Sequence, residues 1–246
     1  MSDKGFTKDN LDLYLKELAK EYRKRNGKAM PVEIILIGGA SVVINYGFRV
    51  STYDMDAVVE GTSSLKDAIN YVGDKFHLPN GWMNDDVVKT DSYTPRIVRY
   101  SQYYRTFSNV VTFRTVTGEY LLAMKLRAGR AYKYDRSDVI GILWEQEKRG
   151  DPLTIDRIRK AVIDLYDSYD VISDEVKNFV EEAVREGGYE TRYDLVRQIE
   201  AENKERLLKY EQEKPGVINE DNVNSVISAL RKKRLTEKSC GDTTVE

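Results

Sequence analysis

The stretch IGGASVVINYGFRVSTYDMDAVVE, Ile37 to Glu60, joins a glycine pair to two aspartates separated by a single residue. Before it, Val32 to Ile37 is a short, mostly apolar and β-branched run between Pro31 and Gly38-Gly39, which predicts a buried strand. Ala40 to Tyr46 then predicts a short helix closed by Gly47. Tyr53 to Val59 alternates, so an extended backbone puts Asp54, Asp56 and Val58 on one face and Tyr53, Met55, Ala57 and Val59 on the other. Two carboxylates are thereby brought side by side.

Outward from this stretch, Leu11, Tyr14, Leu15, Leu18, Ala19 and Tyr22 recur at helical spacing behind the candidate caps Thr7 and Asp9, with Gly27 as the stop. A helix is expected from about Leu65 to Phe76 and a strand over Val110 to Val116, after a turn-rich segment. From Glu119 the patterns are helical: Glu119 to Tyr132, Ser137 to Lys148, Thr154 to Tyr169, Asp174 to Arg185, Thr191 to Glu213 and Asn219 to Arg234, with Pro215-Gly216 breaking the last two. The order predicts an α+β fold, a small mixed sheet with helical cover followed by a helical C-terminal region. The expected divisions are a catalytic domain over 1–150, a helical region over 151–235 and a polar, disordered tail over 236–246. No internal repeat is visible.

Composition excludes several chemistries. The 246 residues contain one cysteine, Cys240, and one histidine, His77. Zinc hydrolases, Ser-His-Asp hydrolases and Cys-His proteases need imidazole or thiolate groups that are missing here. A net charge of −2, with 33% of residues charged, announces no global basic field, so a nucleic-acid partner would have to be met by a local patch. Met1 to Lys8 lacks the apolar core of a signal peptide and no run reaches membrane-spanning length, so a cytoplasmic protein without a membrane partner is expected.

The remaining candidates are carboxylates and cations. Like charges held together raise each other's pKa unless a cation neutralises them, and oxygen-only ligands suit Mg²⁺ or Mn²⁺. For a bare D-x-D an exposed edge strand with alternating Asp is the commoner explanation, so the surrounding residues must carry the functional reading. The glycine pair lets the backbone approach an anion at a helix N-terminus, or it simply makes a tight turn. G-x-G-x-x-G and G-K-[ST] are both absent. In EYLLAMKLRAGRAYKYDRSDVIGIL, Glu119 to Leu143, Lys125 has Leu121, Leu122, Ala128 and Gly129 as helical neighbours, so it projects from an apolar face. Its ammonium must find a partner or snorkel to water. Asp138 fits the first turn of the next helix, with Asp135 as its cap, and Arg49 fits either an ordinary surface position or a phosphate contact.

With these residues in view, the segment resembles the signature of the nucleotidyltransferase superfamily with the DNA polymerase β type of fold. G-G-A-S followed by Gly47, Arg49, Thr52, Asp54 and Asp56 is similar, more narrowly, to the AbiEii-type abortive-infection toxins, which place a small hydroxyl residue two before the first Asp. That family carries an active-site lysine in a helix and an aspartate beyond an arginine-rich turn; Lys125 and Asp138 match those positions. The resemblance covers about the first 150 residues. It departs from many superfamily members in lacking a third carboxylate on the strand VVTFRTV, for which Asp85 and Asp86 are weaker substitutes.

The resemblance implies an NTP-dependent, pyrophosphate-releasing transfer to an acceptor hydroxyl, with Asp54 and Asp56 as metal ligands. Gly38, Gly39, Ser41, Arg49 and Thr52 would bind nucleotide, Lys125 would neutralise developing charge, and Asp138 would orient it or assist deprotonation. The implied acceptor is RNA, a tRNA end in particular, and the implied partner a cognate antitoxin protein. Basic and aromatic residues interleave over Lys89 to Arg105 and Lys125 to Arg136, as an RNA surface would require, although solvated faces have the same composition. Transfer to a protein hydroxyl, or a nucleotide-binding regulator without turnover, are the alternatives.

Overall fold

A computed structural model describes residues 5–59, 63–219 and 222–230. In chain order the elements are β1 (Phe6–Thr7), α1 (Lys8–Asn26), β2 (Val32–Leu36), α2 (Gly38–Asn45), β3 (Ser51–Thr52), β4 (Met55–Val59), α3 (Ser63–Phe76), β5 (Met83–Asn84), β6 (Ser101–Phe107), β7 (Val111–Val116), α4 (Gly118–Ala128), α5 (Asp135–Lys148), α6 (Ile155–Tyr166), α7 (Asp174–Glu186) and α8 (Tyr189–Glu213). Residues 223–230 are helical, while the expected tail over 236–246 lies outside the described residues. The α+β class and the helical C-terminal region are as the sequence predicts.

The main sheet has the order β5-β4-β2-β7-β6. Strand β2 runs antiparallel to β4 and parallel to β7, which brings the aspartate strand and the start of α4 to the same end of the sheet. Alternation divides the two faces. Ile34 and Leu36 of β2 join Met55 and Ala57 of β4 under α1 and α3. Ile35, Ile37 and Val58 point the other way, into a core built with α4, α5 and α6 that reaches Tyr189 and Val196 in α8. The first turn of α1 is closed by a reciprocal cap, in which Thr7 N–H donates to Asn10 Oδ1 at 2.8 Å and Asn10 N–H to Thr7 Oγ1 at 3.4 Å.

Three expectations are corrected. The glycine pair does not precede α2 but forms its first turn, Gly38 taking φ +58°. The helix expected over Glu119 to Tyr132 stops at Ala128, because Gly129 adopts the left-handed conformation and its N–H closes on Lys125 O. The segment SQYYRTF, read as part of a basic and aromatic patch, is the edge strand β6. Its polar side chains face solvent, so it carries no apolar alternation to announce it.

Candidate active site

The site lies where the β2–α2 turn, the approach to β4, and the α4–α5 junction meet. Asp56 stands on β4, next to the N-terminal turn of α2. A Cβ added to Gly38 would come within 2.9 Å of Asp56 Oδ2, so no larger residue fits between backbone and carboxylate. At Gly39 the same test meets Thr52 Oγ1 at 2.3 Å and Arg49 Nη2 at 3.0 Å. Both glycines are held in close contact with side chains of the chain itself, and Gly38 in addition takes the positive φ that a tight turn requires. No side chain caps the N-terminus of α2, so the N–H groups of its first turn remain available.

Hydrogen bonds link Arg49, Thr52 and Asp54 in series. Arg49 Nη2 donates to Thr52 Oγ1 at 3.3 Å, and Thr52 Oγ1 donates to Asp54 Oδ1 at 3.4 Å. Arg49 also donates through Nη1 to Asp138 Oδ2 at 2.7 Å and through Nε to Ser51 O at 3.0 Å. Among the described residues neither Asp54 nor Asp56 has an ion-pair partner. Burial, followed by the charge of Asp54, pushes the Asp56 carboxyl up to about 6, against the pull of Lys125, Arg130 and Lys133.

Lys125 is only 8% exposed. Its Nζ lies 2.7 Å from Asp138 Oδ2 and 3.1 Å from Asp135 Oδ1, so the snorkelling alternative is overturned. Burial works to lower its pKa, but Asp138 and Asp135 outweigh it and the net direction is upward. Asp138 is 1% exposed and accepts from both Lys125 and Arg49. Asp135 does not cap α5: Tyr134 occupies the cap position, and the Asp135 carboxylate pairs with Lys125 and with Arg130 Nε at 2.6 Å. Burial opposes its ionisation, yet Lys125 and Arg130 hold it down to about 2.

Ser41 is a correction. Its buried hydroxyl donates to Leu36 O at 2.6 Å and accepts from Val116 N–H at 3.1 Å, pinning the ends of β2 and β7. It is committed within the fold and offers no hydroxyl to a phosphate. Asp85 and Asp86 are exposed, and Asp86 pairs with Lys89 at 2.8 Å. Asn84 is the residue in register with Asp56 across β4 and β5. No group of three or more His, Cys, Asp or Glu side chains among the described residues is gathered to hold a metal.

A protein family described as "Nucleotidyltransferase of unknown function (DUF6036)" matches residues 13–178. The chain belongs to this family. No curated protein and no solved structure matches it. The match to the nucleotidyltransferase family spans every residue of the site so far described, and it runs past position 150 through α6 into α7.

Helix α8, beyond that match, also reaches the site. Glu200 accepts from Ser137 Oγ at 2.6 Å, from Ser137 N–H at 3.1 Å and from Arg136 N–H at 3.0 Å, capping α5 from a distant element. Burial pushes its carboxyl up to about 7 despite these bonds. Tyr134 carries two guanidinium groups near its ring, Arg49 at 4.8 Å and Arg197 at 3.9 Å. Sequence reasoning placed Tyr134 only within the basic and aromatic run Lys125 to Arg136, and it missed Glu200 and Arg197 because α8 reads as a polar helix with no local pattern to mark them. Among the described residues no helix is long and apolar enough to cross a membrane.

The two basic and aromatic runs are largely neutralised within the chain. Arg96 makes two bonds to Asp167, at 2.7 and 2.8 Å. Arg105 pairs with Asp12, Arg127 with Asp91 at 3.1 Å and Arg136 with Glu175 at 2.7 Å. Tyr100 stacks on Tyr120 with ring centroids 3.8 Å apart.

Proposed function

We propose that the protein transfers a nucleotide from an NTP to an acceptor hydroxyl, with Asp54 and Asp56 holding a Mg²⁺ or Mn²⁺ ion. The observation that carries this reading is the Asp56 carboxylate, half-buried beside Gly38 and without a cation partner among the described residues. Hard oxygen donors of this kind fit a divalent cation whose remaining positions go to phosphate oxygens and water. When bound, such an ion supplies Lewis-acid neutralisation of the phosphates and eases deprotonation of the acceptor hydroxyl. The N–H groups of the first turn of α2 bind phosphate oxygens, since no side chain caps them. Arg49 holds Thr52 and through it Asp54, while Asp138 fixes both Arg49 and Lys125. Lys125 acts through its charge, stabilising negative charge that develops at the phosphorus as the acceptor oxygen attacks and pyrophosphate leaves. Asp138, enclosed by two cations, serves as an orienting group rather than a base.

We assign the acceptor to RNA, a tRNA end in particular, and the biological role to a toxin restrained by a cognate antitoxin protein. Both assignments rest on the likeness of the motif to the AbiEii-type toxins. A protein hydroxyl is the second reading, and the internal pairing of Arg96, Arg105, Arg127 and Arg136 favours it, because those guanidinium groups already have carboxylate partners. The test is transfer from each labelled NTP in the presence of Mg²⁺ or Mn²⁺, with total RNA and with RNase-treated lysate. Label on RNA from the wild type, lost in Asp54→Asn and Asp56→Asn, supports the reading. Label confined to a protein band replaces the acceptor and keeps the site. Undiminished transfer by either variant overturns the site itself.

A further inference from the structure

We propose that Arg197 of α8, with Lys133 from the turn before α5, binds the β and γ phosphates of the NTP, so that the C-terminal helix completes the nucleotide site. This inference rests on the nucleotidyltransferase reading above. It starts from the charges gathered there: three cations, Arg49, Lys125 and Arg130, stand among four carboxylates, Asp54, Asp56, Asp135 and Asp138. A divalent ion would leave only a small positive balance, whereas a nucleoside triphosphate brings a charge of about −4, and dense phosphate charge is met elsewhere by Arg, Lys and metal together. Lys125, Arg49 and Arg130 already have carboxylate partners, so the additional charge must come from cations that are not yet paired.

Lys133 and Arg197 meet that requirement. Neither has a carboxylate partner among the described residues. Lys133 is exposed in the turn before α5, next to Tyr134 in the chain and two residues before Asp135. Arg197 is half-buried, and its guanidinium rests 3.9 Å from the Tyr134 ring centroid. The same ring holds Arg49 at 4.8 Å, which continues through Thr52 to Asp54. Two like charges on one ring repel, and only that of Arg49 is offset by a carboxylate, Asp138. An anion at this point would relieve the repulsion and give Arg197 a bidentate partner.

The placement of Arg197 is fixed rather than incidental. Tyr193 lies four residues before it and Glu200 three after, so all three share one face of α8. Tyr193 donates its hydroxyl hydrogen to Phe48 O at 3.2 Å, Glu200 caps α5, and Asn203 donates to Ala131 O at 2.6 Å. Those bonds hold the helix against the loop before β3 and against the N-terminus of α5, on both sides of Tyr134. The anchoring residues are spent on fixing α8, and Arg197 between them brings its guanidinium to the Tyr134 ring.

The experiment is calorimetric titration of the full chain, wild type, Arg197→Ala, Arg197→Lys and Lys133→Ala, with Mg²⁺ and each NTP, with tripolyphosphate, and with the corresponding nucleoside. For Arg197→Ala, NTP and tripolyphosphate affinity should fall by about tenfold, the scale of one charged hydrogen-bonding contact, with nucleoside binding and melting temperature little changed. Arg197→Lys should recover part of the loss and Lys133→Ala should show a smaller fall. Wild-type NTP affinity in Arg197→Ala overturns the inference while the nucleotidyltransferase reading stands. Weakened transfer to RNA at unchanged NTP affinity moves the contact to an acceptor phosphate and also overturns it. Equal losses for NTP and nucleoside with a lowered melting temperature reduce Arg197 to a packing role. Absence of NTP binding by the wild type removes the nucleotidyltransferase reading, and this inference with it.

Discussion

Two pairs of aspartates meet at one end of the sheet, and the fold treats them in opposite ways. Asp135 and Asp138, on α5, are almost fully buried and surrounded by Lys125, Arg49 and Arg130. Asp54 and Asp56, at β4, have no cation partner among the described residues, and burial, followed by the charge of Asp54, pushes Asp56 up to about 6. A buried charge is tolerated when it is paired and hydrogen-bonded, and shifts its pKa when it is not. The contrast separates carboxylates that are paired within the fold from carboxylates that, on the function proposed above, would take a metal ion.

The largest expected effect comes from taking the cation out of the paired side. Lys125→Met leaves Asp135 and Asp138 with one arginine each, and removing one partner of a buried ion pair typically costs about 3–5 kcal/mol. The measurement is the urea midpoint at unchanged m-value, and adding Asp138→Asn should restore part of the loss. A Lys125→Met protein as stable as the wild type would break the contrast, because the arginines alone would then suffice.

Next is the backbone that brings the unpaired side close to α2. Gly39→Ala places a Cβ 2.3 Å from Thr52 Oγ1, which should destabilise by about 1–3 kcal/mol and disturb the Arg49, Thr52 and Asp54 series. Gly47→Ala, where an added Cβ meets nothing within 4 Å, should stay within about 0.5 kcal/mol of wild type. Equal melting temperatures for the two variants would contradict the close approach.

Asp56→Asn sharpens the comparison through pH. The folded chain holds the Asp56 proton up to about 6 against an ordinary value of 3.8, so this group's stabilisation is complete below pH 3.8 and is lost as pH rises through 6. Without added metal, Asp56→Asn should therefore be more stable than wild type at pH 8, by about 1–2 kcal/mol after allowance for solvent access, and show no gain at pH 4. A destabilised variant at pH 8 would mean that the carboxylate is paired after all.

The smallest effect belongs to Glu200, a buried acid with hydrogen-bond donors but no cation partner among the described residues. Its pKa of about 7 stands above the ordinary 4.5, so its contribution to stability declines as pH rises from 4.5 through 7. Glu200→Gln should flatten the melting-temperature profile over that window and change stability at pH 8 by no more than about 1 kcal/mol. An unaltered pH profile would place the proton elsewhere.

The sequence by itself determined the main helices, the central strands and the facing of their apolar side chains, but not the short strands or the edge strand β6. Alternation over Tyr53 to Val59 and the apolar run Val32 to Ile37 are local periodicities, and the backbone repeats of strand and helix convert them directly into faces. The glycine pair, Asp54, Asp56 and Lys125 stood out for the same reason, since each sits in a short stretch with its own spacing, whereas Asp138 was singled out only by the family resemblance. Only the tertiary structure decided what those groups touch. That Ser41 spends its hydroxyl on Leu36 and Val116, that Asp135 answers Lys125 instead of capping α5, and that Glu200 and Arg197 arrive from α8 all depend on residues far apart in the chain. Side-chain pairing across elements has no sequence period, so a buried ion network and an unpaired carboxylate look alike until the chain is folded.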